Sequence, residues 1–168
     1  APTAHPMSLT EFLSSHQHRQ RYWLGSHLGW NRFATASPNR GHVAIASGAH
    51  QGVFSGVVTQ NVAALHHKAV SLTVVDLLGR LDRVRCVPWH QSFTRAAIAR
   101  TLEQNNPWLA GLEVSGDVRP DGDTDVRFSK DFVVPQCPSC EGLLKPAVIF
   151  FGEFVPPTLF EQAAALVN

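Results

Sequence analysis

Two of the three cysteines in this chain are spaced as ligands of one metal ion. Cys137 and Cys140 enclose two residues, and the third cysteine, Cys86, lies far upstream. A Cys-x-x-Cys pair on a tight turn presents two thiolates to the same ion, and zinc is the usual occupant. With a single further cysteine, such a pair is about as often incidental as metal-binding. The spacing therefore favours a zinc knuckle and leaves the role of Cys86 open.

A second group of polar residues, Thr59, Gln60 and Asn61, ends a short β-branched run. Taken alone, such residues at the end of a strand most often form a cap or a turn. The nine histidines are, by the same reasoning, mostly surface or satisfied core groups. These residues gain a functional meaning only from the motifs around them.

The elements that must position these residues alternate between helix and strand. A capping box at Ser8 and Glu11, with Met7 and Phe12 as a hydrophobic staple, predicts a helix start. Asn39 is placed to cap another helix. Further helices are predicted over residues 19–28, 94–104 and 159–167, a loop at 120–123, and buried parallel strands within 56–59, 72–75 and 147–151. This order predicts an α/β parallel sheet, interrupted by a segment that carries all the cysteines.

Composition narrows the function classes. The 168 residues suit one domain, and 44% hydrophobic residues with 16% charged residues are typical of a globular chain. A net charge of +1 without a polybasic patch gives no reason to expect nucleic acid as a partner. No apolar run approaches the length of a membrane helix, so we expect no membrane partner. The cysteine count does not suit a secreted scaffold, and we expect a cytoplasmic location or, as an alternative, the mitochondrial matrix.

Four segments, in their order and spacing, together resemble the sirtuins, the NAD-dependent protein-lysine deacylases. They are Arg-Gln-Arg-Tyr-Trp at 19–23, Val-Thr-Gln-Asn at 58–61, Val-Asp-Leu-Leu-Gly at 75–79 and Leu-Lys-Pro-Ala-Val-Ile-Phe-Phe-Gly-Glu at 144–153. The first is most similar to the bacterial and mitochondrial branch. The resemblance implies a Rossmann-type NAD-binding domain from residues 1–82 and 145–168, with a small zinc-binding subdomain at 83–144.

The resemblance implies NAD as cofactor, but the matching positions are incomplete. Gln60 and Asn61 match the Gln-Asn-x-Asp block beneath the nicotinamide pocket, whereas Ala63 stands where an aspartate would hold the carboxamide. No Gly-Ala-Gly-x-Ser loop for the pyrophosphate precedes Arg19, and the family's later ribose-binding strands do not follow. We therefore expect an incomplete sheet and weak or absent NAD binding.

The catalytic position also differs. In the family's Glu-Leu-His-Gly motif the histidine is the general base, and Leu78 occupies that place here. General-base catalysis contributes roughly 10²–10⁴-fold in rate, and leucine cannot supply it. We expect a deacylase by descent that is impaired or inactive. The alternatives are a noncatalytic module that binds an acyl-lysine protein or peptide, and a decayed fragment without a selected function.

By the same resemblance, Ile149 and Phe151 form walls of the acyl-lysine tunnel, and Gly152 with Glu153 offers backbone to the peptide.

The implied zinc ligands are Cys86, Cys137 and Cys140, with Trp89 in place of the fourth thiolate. His90 is the candidate substitute ligand, and we expect partial or weak zinc binding. A left-handed backbone is expected at Glu141, where the family has glycine, at a cost of about 1 kcal/mol.

Overall fold

The computed structural model describes residues 6–112 and 130–167, so the loop predicted at 120–123 lies outside the described residues. Helix α1 spans Leu9–Ser14. The Glu11 amide donates to Ser8 Oγ at 3.2 Å, and the Ser8 amide donates to Glu11 Oε2 at 2.8 Å. The predicted capping box is confirmed, and Met7 and Phe12 are both buried in the core cluster.

Helix α2 spans His16–Thr35 and is longer at both ends than the predicted 19–28. Ser15 caps it by accepting the His18 amide, and Tyr22 and Trp23 are buried as expected. Helix α3 spans Arg40–His50, and the predicted cap at Asn39 is confirmed because its Oδ1 accepts two amides.

Strands β1 (Val57–Thr59) and β2 (Val74–Asp76) form a parallel pair in which Val58 is opposite Val75. Helix α4, Leu65–Lys68, lies between them in the chain. The parallel pairing is as predicted, but full burial is not observed, since Val58 is 37% exposed.

Lys68 joins α4 to the end of α2. Its ammonium group donates to the carbonyls of Phe33, Ala34 and Ala36 at 3.0, 3.0 and 2.8 Å. The last carbonyls of a helix have no partner within the helix, so the lysine acts as a cap from a distant segment.

A second, antiparallel sheet has the order β4-β3-β5. Strand β3 is Gly79–Cys86, β4 is Ser92–Thr94 and β5 is Leu144–Val148. Gly79 has φ +79°, and a Cβ there would lie 2.0 Å from the Ala147 carbonyl oxygen, so the close approach of β5 requires glycine.

The prediction of a parallel strand at 147–151 was wrong in bounds and direction. Strand β5 begins at Leu144, and Lys145 is opposite Arg85 of β3 in the antiparallel register. The physical reason is the alternation along β5, which buries Leu144, Pro146 and Val148 on one face and fits a strand with one covered face.

Helix α5 spans Arg95–Asn105 with Thr94 as its cap, a 3₁₀ turn covers Pro107–Gly111, and α6 spans Pro157–Val167. The α5 guanidinium of Arg95 is buried 4.8 Å from the centre of the Trp23 ring. None of the described helices is both long and apolar enough to cross a bilayer. The expected division into residues 1–82 with 145–168 and residues 83–144 stays a prediction.

Candidate functional site

Two tight turns with the same backbone geometry bring the cysteines together. In the first turn, the Cys86 amide donates to the Gln91 carbonyl at 2.8 Å and the His90 amide donates to the Cys86 carbonyl at 2.9 Å. In the second turn, the Cys137 amide donates to the Gly142 carbonyl at 2.9 Å and the Glu141 amide donates to the Cys137 carbonyl at 2.8 Å.

The two turns, which we call the first and second knuckle, also share one backbone conformation. The fifth residue of each is left-handed, His90 and Glu141 both having φ +57°. The left-handed backbone predicted at Glu141 is thereby confirmed. Residue by residue, Trp89 of the first knuckle occupies the place that Cys140 holds in the second.

The three sulfurs form a compact group. The Sγ atoms of Cys86, Cys137 and Cys140 all lie within 4.8 Å of one another, and Cys86 Sγ is 3.5 Å from Cys140 Sγ. Sulfurs bound to one tetrahedral zinc at about 2.3 Å are about 3.8 Å apart, so the spacing fits that ion. Burial acts to raise the pKa of the Cys137 thiol, but hydrogen bonds from the Ser139 and Cys140 amides, together with those from the Cys86 and Cys140 side chains, lower that pKa overall.

The fourth ligand suggested by the sequence is not brought into this group. His90 Nδ1 accepts a hydrogen bond from Arg85 Nε at 3.1 Å. Trp89 is 68% exposed, and an indole nitrogen has no lone pair for a metal. Within residues 6–112 and 130–167, the three thiols are the one group of histidine, cysteine or carboxylate ligands close enough to hold an ion.

The residues predicted to meet NAD lie around a cavity of about 170 Å³, which we call the Asn61 cavity. Asn61 and Ala63 line it, whereas Gln60 is exposed and is not part of the lining. The remaining lining residues are His42, Thr59, Val62, Ala64, Leu65, His66 and Asp76. At position 63 the cavity wall is a methyl group, which cannot accept a hydrogen bond from a carboxamide.

A histidine cluster at this cavity was missed by the sequence analysis. The rings of His42 and His66 are 4.8 Å apart, and His67 Nε2 is 2.7 Å from Asp76 Oδ2. Burial lowers the pKa of His66, and the neighbouring His42 lowers it further. The adjacent pair His66 and His67 was the available signal, but their partners lie on other elements.

Leu78 lies between β2 and β3 and is partly buried. Its carbonyl accepts the Ile149 amide at 2.9 Å. The side chain has no group that can titrate, and Leu78 lines neither the Asn61 cavity nor the cavity described next.

The residues predicted to meet the acyl-lysine lie partly around a second, larger cavity of about 300 Å³, the Ile149 cavity. Ile149 and Glu153 line it, whereas Phe151 is 64% exposed and lies outside the lining, as does Gly152. The rest of its wall is mainly apolar and comes from α1, β5 and the start of α6, with Arg85 and His90 at one side.

One oxygen of the partly buried Glu153 carboxylate accepts two hydrogen bonds from the protein. Its Oε2 accepts from Lys145 Nζ at 2.8 Å and from the Phe150 amide at 2.8 Å. Burial lowers the pKa of Lys145, while Glu153 opposes that shift. The side chain and the Glu153 amide, which donates to the Phe150 carbonyl at 3.0 Å, therefore fix the turn after β5.

A parallel strand pair and a group of three thiols that could hold a zinc ion define a mixed α/β protein. The family model described as Sir2 family matches residues 3–168, and the chain therefore belongs to the Sir2 family of sirtuins.

Curated relatives agree with this assignment. The chain is 44% identical over 166 residues to NAD-dependent protein deacetylase 1 of Streptomyces coelicolor, covering 97% of this chain and 54% of the relative. It is 45% identical over 163 residues to the NAD-dependent protein deacetylase of Xanthomonas campestris pv. campestris, and this match covers 95% of this chain and 55% of the relative. The chain thus spans about half the length of the curated relatives it matches.

Solved structures show the same fold. A structure described as Sir2-p53 peptide-NAD⁺ superposes with a TM-score of 0.72 at 26% identity, covering 99% of this chain and 57% of that one. The structure of Sir2Tm bound to a propionylated peptide superposes with a TM-score of 0.69 at 26% identity, covering 95% of this chain and 54% of that one.

Proposed function

We propose that this chain is a Sir2-family protein that does not complete NAD-dependent deacylation. The observation that carries the proposal is Leu78, which stands at the family's catalytic histidine and offers only hydrocarbon. Loss of a general base costs roughly 10²–10⁴-fold in rate, or about 3–5 kcal/mol of barrier.

The positions of three other histidines support the same conclusion. His66 lines the Asn61 cavity rather than the Ile149 cavity, and His67 is paired with Asp76. His90 lines the Ile149 cavity but is bound to Arg85. When bound, NAD would supply the ribose carbon that accepts the acyl oxygen. The residues on the carboxamide side are Asn61, which can donate or accept a hydrogen bond, and Ala63, which cannot.

The test is nicotinamide release from NAD in the presence of an acetyl-lysine peptide, measured against a blank without protein. The Streptomyces coelicolor relative serves as the positive control. We expect no release by the unmodified chain or by Leu78→His, because Ala63 is a separate defect. Leu77→His is the matched control for adding an imidazole beside the site. Release above the blank by the unmodified chain overturns the proposal.

The second candidate, a module that binds acyl-lysine without turnover, is favoured by the Ile149 cavity. Its apolar walls remain although the catalytic base is absent. Fluorescence anisotropy measures binding of an acetyl-lysine peptide and of the same peptide without the acetyl group, both in the absence of NAD, and so tests the second candidate. Ile149→Trp should fill the cavity and abolish binding, while Ile45→Trp, at a 37% exposed position on α3, should leave it unchanged. Equal binding of the two peptides rejects the module.

A further inference from the structure

The two knuckles have the same backbone conformation but differ in the number of cysteines that they contain. Each knuckle begins with a buried cysteine, Cys86 or Cys137, and each is closed by the same pair of backbone hydrogen bonds. At the fourth residue one knuckle has Cys140 and the other has Trp89. The backbone is therefore built to direct four side chains at one ion, and one of those four cannot be a ligand.

We propose that the cluster of Cys86, Cys137 and Cys140 binds zinc with one coordination position left free for an external thiolate. Zinc prefers four ligands, and sites with three protein ligands keep the fourth position for water or an incoming donor. A soft sulfur donor is the natural occupant of a position that lies among three other sulfurs. This inference is independent of whether the chain deacylates peptides.

The described side chains around the cluster do not fill that position. His90 has its Nδ1 bound to Arg85, and its backbone conformation matches that of Glu141 in the knuckle with two cysteines. Glu141 is exposed and, in the part of the chain that the structure describes, is not grouped with the thiols. His90 and Glu141 are therefore parts of the two turns and are not placed as the fourth ligand.

An external ligand also has a route to the cluster. Cys86 and Cys137 are buried, but Cys140 is partly exposed, and Trp89 is 68% exposed. Access is therefore from the side of the fourth knuckle residues. Pro88 packs against Gly142 at the contact between the knuckles, since a Cβ on that glycine would lie 2.9 Å from Pro88 Cγ. This contact holds the two knuckles together.

Cobalt(II) in place of zinc gives a direct readout, because sulfur-to-cobalt charge-transfer absorption grows with each thiolate bound. The full chain is loaded with cobalt under anaerobic conditions and titrated with 2-mercaptoethanol. We expect the absorption to rise and saturate at the level of the Trp89→Cys variant. Trp89→Cys itself should start at that level and not respond.

Two controls separate the alternatives. Trp89→Ala removes the indole without adding a ligand and should respond to the thiol like the unmodified chain. His90→Ala should match the unmodified chain before and after the thiol is added. Failure of the unmodified chain to bind cobalt, or absorption that does not change with thiol, overturns the proposal. A changed starting spectrum in His90→Ala also overturns it, because histidine is then the fourth ligand.

Discussion

Replacing Val70 by glycine should stabilise the protein, although it removes a hydrophobic side chain. Val70 follows α4 with φ +61°. Its amide donates to the His67 carbonyl at 3.0 Å, and the Ser71 amide donates to the His66 carbonyl at 3.1 Å. These are the two hydrogen bonds of a Schellman motif, whose left-handed residue is normally glycine. A β-branched residue in this conformation is a strained choice.

The magnitude follows from two opposing terms. Left-handed backbone costs a side-chain-bearing residue about 1–2 kcal/mol, and glycine removes that cost. Glycine also gives the unfolded chain more freedom, which offsets about 0.5–1 kcal/mol. Val70 is 69% exposed, so little packing is lost. The net gain should be about 1 kcal/mol, which raises the melting temperature of a chain of this size by about 2–4 °C.

Thermal and urea denaturation followed by circular dichroism measure this gain. The matched control is Val53→Gly, because Val53 is 71% exposed and is not among the residues with positive φ. That control should be neutral or destabilising by up to about 1 kcal/mol. Equal effects of the two substitutions would refute the assignment of strain to Val70. The stability of the Val70→Asn variant should lie between that of the unmodified chain and that of Val70→Gly, since asparagine tolerates the left-handed region.

Three further predictions concern pH, cofactor and the internal ion pair. Burial lowers the pKa of His27 and His66 below the ordinary 6.5. The unfolded chain therefore binds more protons than the folded protein. The folded state should lose stability as the pH falls through about 6.5 towards the lower pKa values of the folded state. Urea midpoints at about pH 7.5 and 5.5 should differ less in the double variant His27→Gln, His66→Gln, and an unchanged difference contradicts this reading. Millimolar NAD should leave the melting temperature unchanged, whereas a dissociation constant one hundredth of that concentration would add about 2.7 kcal/mol and an obvious rise. Glu153→Ala should cost about 1–3 kcal/mol in urea denaturation, because the largely buried Lys145 ammonium loses its carboxylate partner and keeps the Val148 carbonyl as acceptor. Lys145→Met should cost less, and equal losses would argue against the ion pair.

The features that the sequence predicted correctly depend on neighbours in the chain or on a motif. The cap of α1 needs only Ser8 and Glu11, which are three residues apart. The thiol group was predicted through the family resemblance, and the structure brings Cys86 within reach of Cys140 across 54 residues. Local hydrogen bonding and the spacing of residues within a motif can both be predicted from a single sequence.

The features that were missed depend on partners that are distant in the sequence. Arg95 reads as a helix-forming surface residue, yet it is 1% exposed between the rings of Trp23 and Trp30, and burial lowers its pKa to about 10. The left-handed conformation of Ala64 and Val70 has no sequence signal, because both residues ordinarily avoid it. Strand β5 was assigned the wrong direction because its partner, β3, was not predicted at all.

The lysine cap at the end of α2 links the motions of two regions that the chain order separates. When α4 opens, Lys68 withdraws its ammonium from the carbonyls of Phe33, Ala34 and Ala36, and those groups must find water. Conversely, fraying of the last turn of α2 leaves the lysine without its acceptors. The end of α2 and the helix beside the Asn61 cavity should therefore exchange their amide hydrogens as one cooperative unit. The wall of the Asn61 cavity should therefore open whenever the last turn of α2 frays, although α2 begins some fifty residues before α4 in the chain.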